Sequence, residues 1–361
     1  MPERASRRAT ERARPERPWE RETTRRQPER PGRRPRAGNI EWAREHSWEL
    51  LLAAILVGTI VYNATQSPVY LDVDNFVNLF RLSIEKVIVA VAMTFVIING
   101  EIDLSVASVM AFAACVLAAA HESGVPFVLA IAIALAAAAS AGFVQGLVVA
   151  RTGISSLVVT LAGLIGFRGA ARILLEDRSI GEFPDWFGDL GRADFLGPMP
   201  FALVLFLVML AVGGVILHRS SFGRRVYVIG NNADVARFSG IDVARVKLVL
   251  FTTSGLVAGV AGVLFAARLG SVRANIGEGF ELDIITMVLL GGVSIFGGSG
   301  TLLGVALAIC IVLNLRNGLG LANVEANTQT GVIGALLIVS VLAQNVLDRL
   351  PIRRREAEAE A

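Results

Sequence analysis

The chain has 361 residues, 54% of them hydrophobic and 18% charged, with a mean hydropathy of +0.60. That composition excludes an ordinary soluble enzyme and fits an integral membrane protein. The net charge of +3 hides an uneven distribution, because Arg, Glu and Pro crowd the N-terminal tail.

Residues 1–46 are predicted to be a disordered cytoplasmic tail. They hold too little apolar surface to fold, and they lack the apolar run of a signal peptide. Apolar segments follow, each of about the 20 residues needed to cross a hydrocarbon core of about 30 Å. They lie near 48–66, 79–99, 104–121, 126–150, 156–175, 200–218, 247–268, 283–297, 301–318 and 329–347. The expectation is an all-α polytopic membrane domain over residues 47–348 with ten helices, some short or broken, followed by a charged cytoplasmic tail over 349–361.

Arg151, the loop from Arg219 to Lys247, Arg349 to Arg355 and the N-terminal tail fall on one side of this count. By the positive-inside rule that side, with both termini, is cytoplasmic. The other side collects residues 121–125, 176–200, 268–282 and 320–328. Its longest loop carries Asp177, Glu182, Asp185, Trp186, Asp189 and Asp194, a face for an external partner or simply a solvated loop.

After the second span, Gly100, Glu101, Asp103 and Ser105 form a tight turn in which Asp103 is expected to N-cap the third span. A second glycine-rich turn holds Gly291, Gly292, Gly297 and Gly298, and its span reads as a broken or re-entrant helix. Small residues recur at helical spacing in Gly142 with Gly146, Gly255 with Gly259, and Gly300 with Gly304. Such pairs let backbones approach closely, either within a bundle or in a dimer. Ionisable residues in or near spans are Arg81, Glu85, Lys86, Arg168, Arg172, Glu281 and Asp283. Arg81 and Glu85 are spaced to pair on one helical face, and those near span ends can snorkel. No chain of acids runs through the middle of the membrane, which argues against a proton-coupled transporter.

Between the sixth and seventh spans, residues 219–246 are too charged for lipid. Asn231 or Asn232 is placed to cap a short helix from Ala233 to Ser239, Gly240 to stop it, and Asp242 to cap the next long helix. Val235 and Phe238 would be apolar anchors and Arg237 a rim charge of a cytoplasmic docking element. Cys115 and Cys310 stand alone, as do His46, His121 and His218, so neither a metal site nor a catalytic residue is predicted. Lys86 and Lys247, the chain's two lysines, do not sit in a phosphate-cradling loop, so no cofactor is expected and any ATP is bound by another polypeptide.

Five stretches together resemble the permease subunits of bacterial ABC sugar importers of the ribose/xylose type. They are Gly100 to Val106, Ile154 to Leu161 with Arg168-Gly169, Gly230 to Ile241, Glu281-Leu282-Asp283, and Gly291 to Gly300. The chain departs from that pattern at Ala107, where the family usually has Gly, and at Ser155 and Leu157, where it has Pro and Phe. The resemblance implies a transport subunit of the bacterial cell membrane, not an enzyme. It implies a homodimer or paired permeases, two cytoplasmic ATPase subunits and an external sugar-binding protein. A pentose or hexose is the implied cargo, with a nucleoside or other small polar solute as the alternative. From a different class, a secondary transporter without an ATPase is the rival reading. No substrate-contacting residue can be picked from the sequence.

Overall fold

The computed structural model describes residues 47–176, 178–197 and 199–349. The predicted tails, apart from the C-terminal Arg349, and Asp177 lie outside the described residues.

Helices occupy every predicted apolar segment: α1 (Ser47–Gln66), α2 (Val73–Arg81), α3 (Ile84–Ile98), α4 (Val106–Glu122), α5 (Phe127–Thr152) and α6 (Ser156–Leu175) in the first half. A short strand β1 (Ile180–Gly181), α7 (Asp185–Arg192) and the strand pair β2 (Asp194–Leu196) and β3 (Met199–Pro200) lead into α8 (Phe201–Arg219). Then come α9 (Ser221–Asn231), α10 (Ala233–Phe238), α11 (Val243–Leu269), β4 (Ser271–Val272), α12 (Phe280–Leu290), α13 (Leu302–Leu321) and α14 (Ala326–Arg349). Six of these, α1, α5, α6, α8, α11 and α13, are long and apolar enough to cross a membrane, and α4 and the first part of α14 are shorter apolar helices.

Two predicted spans are shorter than expected. The segment 79–99 is broken at Leu82 and Ser83, where the amide of Ser83 turns back to the carbonyl of Phe80, so that α3 starts only at Ile84. The segment 283–297 starts earlier, at Phe280, and stops at Leu290, where Gly291 and Gly292 end the helix. At about 1.5 Å per residue, neither α3 nor α12 alone covers the full hydrocarbon thickness. Every residue of α3 except Phe95 is buried, as a helix apolar on all sides must be when protein and not lipid surrounds it.

Around α3 the longest helix, α11, packs against α4 and α5. Its contact with α5 is backbone on backbone: a Cβ on Gly255 would lie 2.5 Å from the carbonyl of Ala138, and one on Gly142 would overlap the carbonyl of Phe251. The small-residue spacing in these two helices therefore serves the bundle of one chain. Gly304 does the same in α13, where a Cβ would overlap the carbonyl of Gly291.

One end of the bundle joins segments distant in sequence. Strand β1 pairs antiparallel with β4, setting Ile180 opposite Val272. Arg178 bonds Glu122 at 2.9 Å, and His121 Nε2 lies 3.3 Å from the carbonyl of Glu182. Phe127 sits edge-on to both Trp186 and Phe187 of α7, with ring centroids 5.7 and 4.7 Å apart. Three of the segments grouped on one side by their charge thus meet here.

Candidate functional site

The opposite end carries the charged segment between α8 and α11. Ser220 opens α9 by accepting a hydrogen bond from the amide of Gly223 at 3.1 Å. The helix then buries Val226 and Ile229 while leaving Arg224 and Arg225 exposed. Sequence reasoning missed α9, although a Ser N-cap followed by apolar residues at helical spacing is its signal. Asn232, not Asn231, caps α10: its side-chain oxygen accepts from the amides of Asp234 and Val235 at 2.9 and 3.0 Å. Asn231 is the exposed last residue of α9.

In α10 only Ala236 is buried, whereas Val235 is 54% and Phe238 is 93% exposed. Arg237 pairs with Asp234 at 2.7 Å on the exposed face, a pair worth little on its own. Gly240 ends the turn with φ +81, a conformation that costs a β-branched residue dearly, in otherwise open space. Asp242 then caps α11 through the amide of Arg245 at 2.9 Å.

Beneath this segment the two glycine turns meet. The amide of Gly298 donates to the carbonyl of Ile98 at 2.8 Å. A Cβ on Gly297 would lie 2.7 Å from the Cα of Gly100, and one on Gly298 would lie 2.9 Å from the Cα of Asn231. Gly230 of α9 fills the remaining space, so three backbones touch where no side chain fits. The Tyr227 hydroxyl donates to the carbonyl of Gly300 at 2.7 Å. Burial pushes its pKa up to about 12, so it remains a donor. Gly291 and Gly292 stand apart from this joint, against Val305 and Trp48.

The turn after Gly100 is tied down by partners that no local pattern reveals. Glu101 forms an ion pair with Lys247 of α11. Asp103 does not cap α4, which starts three residues later at Val106. It is buried instead, accepting from the amide and hydroxyl of Ser105 at 2.9 and 2.6 Å and from Ser254 of α11 at 2.9 Å. The amide of Ile102 donates to Ser156 at 3.1 Å, joining the turn to the start of α6. A cavity of about 860 Å³ opens beside this turn, lined by Glu101, Arg151, Ser155, Arg237 and Lys247 among others.

Nearer the other end, charged residues are locked inside the bundle. Glu85 of α3 accepts from Arg268 of α11 at 2.8 Å, which corrects the expected pairing with Arg81. Asp283 of α12 is held by Lys86 at 2.8 Å and by Arg316 of α13 at 2.6 Å. Buried Arg168 donates to the carbonyls of Ala274 and Ile276 at 3.0 and 2.7 Å. Neither Asp283 nor Arg168 snorkels, because each finds its partners in protein.

An apolar helix stopped by glycines, charges paired across the bundle and a capped short helix at one end suit a membrane permease. A family model described as the permease component of the branched-chain amino acid transport system matches residues 75–341. The autoinducer 2 import system permease protein LsrD of Photorhabdus laumondii is 33% identical over 313 residues, covering 84% of this chain and 92% of the relative. The protein of the same name from Escherichia coli K12 is 38% identical over 309 residues, covering 83% and 93%. No solved structure matches. The chain belongs to this family of transport permeases and is a multi-pass protein of the bacterial inner membrane. The resemblance to ABC sugar importer permeases read from the sequence points to the same place.

Proposed function

We propose that the chain forms the transmembrane pathway of an ATP-driven importer, paired with a second permease subunit and served by cytoplasmic ATPase subunits and an external binding protein. The cargo in this reading is a monosaccharide, a pentose or a hexose. The names of the relatives, permeases of an autoinducer 2 import system, support import of a solute, and a nucleoside or other small polar solute is the alternative cargo. In this reading residues 47–348 form the permease domain with ten crossings and cytoplasmic termini. Residues 219–246 are the loop that receives the ATPase. The Arg distribution supports that orientation.

The observation that carries the proposal is α10: a capped helix between two long apolar helices, with a phenylalanine 93% exposed and a glycine stop. An aromatic ring held in water on a rigid support is suited to fill a pocket on a partner. Phe238→Ala should therefore weaken ATPase association by about 2 kcal/mol, and Arg237→Ala by much less. Gly240→Val should impair coupling by straining the turn. ATPase co-purification and uptake of labelled pentoses, hexoses and autoinducer 2, measured after membrane insertion is verified, test this. Wild-type behaviour in both Phe238→Ala and Gly240→Val would reduce the loop to a connector.

A further inference from the structure

Phe238 is not alone. Phe296, in the second glycine turn, is 79% exposed although it sits in an otherwise closely packed stretch of backbone. Its support is rigid: the amide of Ser294 donates to the carbonyl of Ser299 at 3.1 Å, and that of Gly297 to Ser294 at 3.0 Å. The next residue, Gly298, bonds α3 at the carbonyl of Ile98 and packs against Asn231, the residue before the cap of α10. The turn and the short helix are thus parts of one surface. A large apolar ring left 79% uncovered on a locked turn serves no packing purpose within the chain.

We propose that Phe296 is a second anchor for the cytoplasmic ATPase subunit, engaging it directly beside α10. The proposal rests on the reading of α10 as the ATPase-receiving element, since continuity with α10 is what selects this partner. Its consequence is a second route for force. A push on Phe296 reaches α3 through the carbonyl of Ile98, and α12 and α13 through the two ends of the turn, without passing along α10 or α11.

The test uses the full importer with its ATPase subunits co-expressed. A photoreactive benzoylphenylalanine is placed at the Phe296 position in one sample and at the Phe238 position in another. Cross-links to the ATPase from both are expected. A cross-link to the ATPase from the Phe238 position, with none from the Phe296 position or with capture there only of lipid or another permease copy, overturns this inference and leaves the α10 reading intact. The reverse pattern leaves Phe296 as an anchor and removes the α10 reading, and no ATPase cross-link from either position overturns both. Independently, Phe296→Ala should lower ATPase affinity roughly tenfold with an unchanged melting temperature, because the exposed ring supports little of the fold. Wild-type affinity in that variant counts against the anchor.

Discussion

Glu85 and Lys86 are neighbours in sequence, yet they bond in different directions, because successive residues of a helix point about 100° apart. One faces Arg268 on α11 and the other faces Asp283 on α12, so two residues of α3 tie together three helices, and Arg316 adds a fourth, α13. Glu85 is completely buried. Removing its partner leaves a charge with nowhere to go, which costs about 3–5 kcal/mol, whereas replacing both partners with apolar groups can be nearly neutral. Arg268→Met should therefore sharply lower the melting temperature of the detergent-purified protein, and adding Glu85→Met should recover most of the loss. Equal melting of the single and double variants would mean that the pair does not act as a unit. Little of this was legible beforehand. Sequence spacing reports only partners one helical turn away, which suggested Arg81, while the actual partner lies on another helix. The Asp103 contacts escaped notice for the same reason, since Ser254 is an unremarkable residue of an apolar helix until the fold brings it across.

At the scale of elements, the helices themselves were readable because apolar length is a direct consequence of the bilayer's thickness. Their interruptions were only half readable. Gly291 and Gly292 announced the end of α12, but the break before α3 lies at Leu82 and Ser83, where no glycine or proline marks it. Small-residue spacing in α5 and α11 was visible too, although spacing cannot say whether the facing backbone belongs to the same chain. The fold answers that for Gly142 and Gly255, and the answer is measurable. Gly255→Val should cost at least the roughly 1–3 kcal/mol of overpacking, since its Cβ would collide with backbone that has no rotamer to yield. Gly166→Ala on α6 meets nothing within 4 Å and should stay within about 1 kcal/mol of wild type. Thermal unfolding of the two variants side by side checks the contrast, and similar losses in both would remove the close-packing account.

Across the whole molecule, chain-distant segments gather at the two ends of the bundle: residues 121–122, 178–182 and 271–272 at one, residues 98–101, 230–231 and 297–298 at the other. With Cys115 buried and Cys310 partly so, new cysteines at the surface can report on side. Asp185→Cys should label with an impermeant reagent from outside intact cells, and Asp234→Cys only after the membrane is opened. Labelling of both from outside would overturn the orientation proposed above. The glycine joint also bears on how the protein is made. Its three strands of backbone come from near residues 100, 230 and 298, so it cannot close until the ribosome has passed the last of them. Closing contacts this far apart is slow as well as late. Until then, the turn that follows α3 has neither the amide of Gly298 nor the packing of Gly297, and a nascent chain that has inserted most of its helices still lacks this closed end. If that end receives the ATPase as proposed, chain order alone defers assembly until the last strand of the joint has been made.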